Sequence, residues 1–232
     1  DEYVINGQKI WTTNADVADS VFVLLRTNPD APKHRGISLI VIDDIHAPGI
    51  DVRPLEDMGW QIDLTETFYE NVRVPTSNLI GEENRGWYVA MTLLDFERSG
   101  VSSAAGNQGR AQLLVDFIRT DPDVSRVPDF PTIRAEISNR IIEAEVGNNF
   151  TLRIATMQTQ GLVPNYEASI GKMFNGILNQ NIQRTGIRAF GLYGTLWSDD
   201  PRAPLGGRYT RDYVRTIPLT IAGGSNEIQR NI

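Results

Sequence analysis

The chain has 232 residues, 41% of them apolar, enough to bury the core of one large domain or two small ones. Its net charge of −7 denies it the basic footprint that nucleic-acid binding needs. It has no cysteine, which excludes disulfide frameworks, thiolate zinc sites and thiol nucleophiles, and no apolar run approaches the roughly 18 residues of a membrane span.

Residues 1 to about 75 read as β structure. Tyr3 to Trp11 gives two short apolar runs around Asn6-Gly7, a strong hairpin signal. Val21–Leu25 and Ile37–Ile42 are strand-like runs bounded by Pro, Gly and Asp, and Thr65–Val74 is another, closed by Pro75. Strands at this spacing predict a small barrel or sandwich. After Gly86 the apolar period becomes helical: Val89, Leu93, Leu94, Phe96, Val101, Leu113, Leu114 and Phe117 predict helix from Trp87 to about Arg119. The prolines of 120–131 predict a loop. Further helices are predicted from Ile133 to about Gln160, from about Asn165 to Phe190, over Gly207–Thr216, and from about Ser225 onward. The fold class is therefore α+β and multi-domain: a small antiparallel β-barrel or sandwich at 1–77, then a helical bundle at 78–232. The chain begins in a strand pattern and ends in a helical one, so it reads as part of a longer protein.

His34 and His46 lie in turn-rich segments with no second ligand at metal spacing, so they read as surface residues and no metal site is expected. Acid–base chemistry falls to Asp, Glu, Tyr or Lys, and Lys9, Lys33 and Lys172 are the only lysines. The absence of cysteine agrees with a cytoplasmic location.

Four segments together resemble the acyl-CoA dehydrogenase family. They are Asn6-Gly7-Gln8-Lys9-Ile10-Trp11-Thr12-Thr13-Asn14, then Gly36–Val41, then Val72–Pro75 leading through Asn78–Trp87, and finally Ile221-Ala222-Gly223-Gly224-Ser225-Asn226-Glu227-Ile228-Gln229-Arg230. Each is a weak signal alone; in the family's order and near its spacing they are strong. The resemblance implies an FAD enzyme built from an N-terminal helical domain, a middle β domain and a C-terminal four-helix bundle. This chain would start within the middle domain and lack the first flavin-binding loop.

The resemblance also implies roles for particular residues. Trp11 would pack beside the isoalloxazine while Thr12 and Thr13 bond its polar edge; the alternative is a strand chosen only for β-propensity. Gly223 and Gly224 would let backbone approach the ligand, and Ser225, Asn226 and Glu227 would meet the cofactor's phosphate and ribose, or serve only as a helix cap. Arg188 and Gly191 fall in the segment that holds the adenosine half of FAD from a neighbouring subunit, although Leu192 stands where the family has a second glycine. In many members the position matched by Gly223 carries the catalytic glutamate. In a branch acting on isovaleryl or long-chain thioesters the base is instead a glutamate before an arginine on the first long helix, which Glu97 matches. Asp95 and Arg98 match positions lining the thioester and pantetheine channel, or form a structural ion pair.

The expected reaction is α,β-dehydrogenation of an acyl-CoA to a trans-2-enoyl-CoA, with Glu97 as base. Electron-transfer flavoprotein or a similar acceptor would take the electrons, and the assembly would be a homo- or heterotetramer. The competing expectation is a non-catalytic partner subunit of a heteromeric dehydrogenase of the steroid side-chain type. A DNA-associated flavin relative is disfavoured by the acidic charge.

Overall fold

Strand β1 (Glu2–Thr13) runs for 12 residues antiparallel to β5 (Leu64–Pro75), and β5 in turn pairs with β4 (Ile50–Leu55). A second antiparallel sheet places β3 (Ile37–Ile42) between β2 (Val21–Arg26) and the two-residue β6 (Leu79–Ile80). The computed structural model describes residues 1–97, 101–121 and 129–232, with the side chains of 95–97, 101 and 102 left out of the description. It divides into two compact units, Asp1–Leu93 and Leu94–Ile232.

Asn6-Gly7 does not turn the chain, which corrects the hairpin expected from this pair. Instead the register slips between Ile5 and Gly7, where Gly7 takes φ 144°, and the Asn6 Oδ1 accepts the Asn71 N–H at 2.9 Å. The reason lies in β5. Thr65, Thr67 and Tyr69 face the core, yet so do Val72 and Val74, and strict alternation puts an even-numbered set on the opposite side. A bulge opposite Asn6 restores the face. Ile5, Tyr69, Val72 and Val74 of one sheet then pack with Val23, Ile40 and Ile42 of the other. Strand β4 escaped the sequence reading because Pro54 sits inside it; at the edge of its sheet the missing N–H has no partner to lose.

The change of period at Gly86 marks α1 (Gly86–Glu97), whose first residue must be glycine: a Cβ there would lie 2.2 Å from the Leu39 nitrogen. Beyond it lie α2 (Val101–Thr120), α3 (Phe130–Thr159) and α4 (Tyr166–Ala189), the long helices of the second unit. Pro131 in the first turn of α3 replaces an N–H that would have no helical partner. Ala111 and Leu114 from α2, Ile133, Ile137 and Ala144 from α3, and Leu178 and Ile182 from α4 form the core. Two short helices follow, α5 (Arg208–Arg215) and α6 (Asn226–Arg230). Tyr209 of α5 is seated on Gly186, where any Cβ would meet the ring at 2.2 Å, and its hydroxyl donates to the Arg110 carbonyl. Burial pushes the Tyr209 phenol well above its usual range. Antiparallel sheets followed by a helical region match the expected fold class. Among the described residues, no helix is long and apolar enough to cross a membrane.

Candidate functional site

In the first unit the predicted flavin-facing residues lie at the end of β1. The register slips again between Ile10 and Thr12, and Trp11 occupies the left-handed region at φ 65°. This conformation costs a non-glycine residue about 1–2 kcal/mol. The sheet imposes it: Thr12 and Thr13 stay in register with Thr65 and Leu64, and the Thr65 hydroxyl donates to the Thr12 carbonyl at 3.0 Å. The indole is consequently turned out, 65% exposed. Backbone strain that the surroundings over-determine concentrates at functional sites.

Sequence reasoning missed the loop beside it. The Asn14 N–H donates to the Asp63 carbonyl at 3.0 Å, which sets the 56–63 loop at the same end of the sheet. Within this loop the Asp57 carboxylate accepts the N–H groups of Gly59 at 2.6 Å and Gln61 at 3.0 Å, a tight turn that carries Met58 and Trp60 outward. Trp60 is left-handed as well, at φ 56°, and 67% exposed. The available signal was Met58-Gly59-Trp60, two large apolar residues about a glycine inside an otherwise polar turn.

In the second unit the C-terminal segment is built on glycine. Gly223 and Gly224 are both left-handed, at φ 64° and 88°, a region in which a side chain is strained. A Cβ on Gly223 would meet nothing within 4 Å, whereas one on Gly224 would lie 2.7 Å from the Gln229 Nε2. Ser225 then caps α6, its hydroxyl accepting the Ile228 N–H at 3.4 Å. Glu227 is exposed in the first turn, and its own N–H together with the Ser225 hydroxyl holds its carboxyl below the usual range. Asn226 is buried, and its Oδ1 has no partner among the described residues.

The Ala189–Gly194 segment carries structural duties. Phe190 is buried edge-on between Phe117 and Tyr209, and Gly194 is held against the Ile187 carbonyl, 2.5 Å from where its Cβ would stand. Gly191 turns the chain at φ 58°, and Leu192 projects into solvent, 90% exposed. Arg188 is engaged: Glu136 takes one guanidinium nitrogen and Asp129 lies 3.7 Å from the other.

Asp95 and Glu97 belong to the last turn of α1, but their side chains, and the whole of Arg98, lie outside the described residues. Trp11–Thr13 are thus brought together in the first unit and Gly223–Glu227 in the second. Arg188 and Gly191 form a separate feature at the end of α4.

Two family models match the chain: the acyl-CoA dehydrogenase middle domain over residues 1–72, and the acyl-CoA dehydrogenase C-terminal domain over residues 84–232. The chain is 34% identical over 241 residues to the acyl-CoA dehydrogenase FadE26 of Mycobacterium tuberculosis, covering all of this chain and 60% of the relative. Among solved structures it is similar to the Tcur3481–Tcur3483 steroid ACAD, with a TM-score of 0.89, 30% identity, and 99% of this chain against 59% of that one. It is similar also to the ChsE4–ChsE5 complex of M. tuberculosis, with a TM-score of 0.87, 33% identity, and coverage of 100% and 60%. The chain therefore spans about three fifths of the length of these relatives. Given two consecutive domain matches and a shared fold along its whole length, the chain belongs to the acyl-CoA dehydrogenase family.

Proposed function

We propose that the protein is an FAD-dependent acyl-CoA dehydrogenase that converts an acyl-CoA thioester to its trans-2-enoyl-CoA, with Glu97 as the general base. In this reading residues 1–77 belong to the middle β domain and 78–232 to the helical domain. The observation that carries the reading is Gly223. At the position where many relatives keep the catalytic glutamate, this chain has an exposed, left-handed glycine with open space around its Cα. A base on α1, immediately before Arg98, fits this arrangement.

The residues suit FAD unequally. An out-turned indole at Trp11 and polar neighbours Thr12 and Thr13 fit a flat heterocycle with a polar edge. At the other end, Arg188 already faces two carboxylates and makes a poor partner for pyrophosphate. When bound, FAD supplies the two-electron acceptor for the hydrogen that leaves the substrate's β-carbon. Glu97 removes the α-proton. The Gly223 N–H donates to the thioester oxygen as enolate charge develops there. Asp95 and Arg98 would serve the thioester, while Ser225, Asn226 and Glu227 would hold the cofactor's phosphate and ribose.

The test is stopped-flow reduction of the flavin in the full-length enzyme. Glu97→Gln should retain fold and FAD while losing about a hundred- to ten-thousand-fold in rate. A wild-type rate would make Glu97 a surface charge and favour the second reading, a partner subunit of a heteromeric dehydrogenase. The engaged Arg188 and projecting Leu192 support that alternative. In either case we infer a tetramer, and the two relatives described as a complex or paired chains are consistent with a heteromeric one. Electron-transfer flavoprotein or a similar protein is the proposed acceptor.

A further inference from the structure

Two adjacent glycines lose more conformational freedom on ordering than any other pair, so a glycine loop with a fixed shape needs something to hold it. Here the holder is one face of α4. Lys172, Gly176 and Gln180 follow at intervals of four, so they share that face. The Gln180 Nε2 donates to the Thr216 carbonyl at 3.0 Å. Gly176 lets the Leu219 carbonyl approach to 3.0 Å of where a Cβ would be. The half-buried Lys172 donates from Nζ to the Gly224 carbonyl at 2.7 Å. From α6, the Gln229 Nε2 donates to the carbonyls of Gly223 at 2.9 Å and Gly224 at 3.2 Å, and only a glycine at 224 leaves room for it. Gln229 is 5% exposed, so water competes little for these bonds.

We propose that Lys172 and Gln229 are positioning residues that fix the Gly223–Gly224 backbone and thereby aim the Gly223 N–H. On one side of that N–H, the Ala222 N–H is bonded to the Pro218 carbonyl at 2.7 Å; on the other, the Gly223 carbonyl is held by Gln229. The peptide between these anchors is planar and has little freedom left. The ammonium adds a second effect. It polarises the Gly224 peptide and puts positive charge close to the loop, which favours negative charge developing on a bound ligand. The identity of that ligand, a thioester oxygen, rests on the dehydrogenase reading; the anchoring does not.

The experiment uses full-length holoenzyme carrying Lys172→Met, Lys172→Arg or Gln229→Leu, with two readouts. Hydrogen exchange over residues 221–225 should accelerate about tenfold in Lys172→Met and Gln229→Leu while the α4 core stays protected. Flavin reduction at saturating acyl-CoA should fall about 10- to 100-fold, with KM changed by less than about threefold. Lys172→Arg, which keeps charge and donor, should restore both readouts to within about threefold of wild type. Unchanged exchange in both Lys172→Met and Gln229→Leu overturns the proposal, whatever the rate. Should Lys172→Met fail to fold, Gln229→Leu decides alone. If no acyl-CoA reduces the flavin of the wild-type protein, the dehydrogenase reading falls and exchange still judges the anchoring.

Discussion

Both candidate regions place backbone in the left-handed region, and they do so by opposite means. At the end of β1 the strained residue is a tryptophan, and the sheet on either side forces it there: Thr12 and Thr13 resume pairing with β5 directly after the slip. In the 221–230 segment the residues are glycines, which adopt this backbone readily, and side chains from α4 and α6 hold it. The first arrangement presents a large apolar surface; the second clears side chains away and presents backbone. The contrast separates a site in which geometry is imposed by the sheet ladder from one in which it depends on two polar side chains.

The largest way to break this contrast is at Gly224. Gly224→Ala places a Cβ against the Gln229 amide at φ 88° and should destabilise the second unit by about 2–3 kcal/mol, whereas Gly223→Ala, with open space, should lose only the strain of about 1 kcal/mol. Urea denaturation of the pair measures the difference, and equal losses would mean that Gln229 yields easily.

Trp11 should behave in the opposite sense. Trp11→Asn puts a residue tolerant of left-handed backbone in the bulge and should stabilise the β unit by about 0.5–1 kcal/mol, since the indole is already exposed. FAD retention by the full-length protein should weaken at the same time. A variant that gains no stability would show that the indole makes compensating contacts.

The smallest effect sharpens the role of the vacant position. In the Glu97→Gln background, Gly223→Glu should recover about threefold in flavin reduction, limited by left-handed strain and by misplacement of the carboxylate. No recovery at all would mean that position 223 does not face the α-carbon.

Much of this molecule was legible from local pattern. The helices α3 and α4 were read to within a few residues, because long apolar periodicity and terminal prolines and glycines are local signals. The Ser225 cap of α6 was read for the same reason. The family too followed from short motifs in order. Misreadings arose where a distant partner decided. Asn6-Gly7 has the composition of a turn, but a 12-residue partner 65 positions away made it a bulge. Nothing local to Arg188 showed that Glu136 and Asp129 would meet it from another helix and its cap. Lys172 carried no motif, and its bond to Gly224 spans 52 residues. What the sequence by itself determined was the family and the succession of β structure by long helices, both of which are encoded in near-neighbour spacing. Only the tertiary structure decided which carbonyls are held, which cation is neutralised and which tryptophan is strained outward, because those depend on contacts between segments that chain order does not reveal.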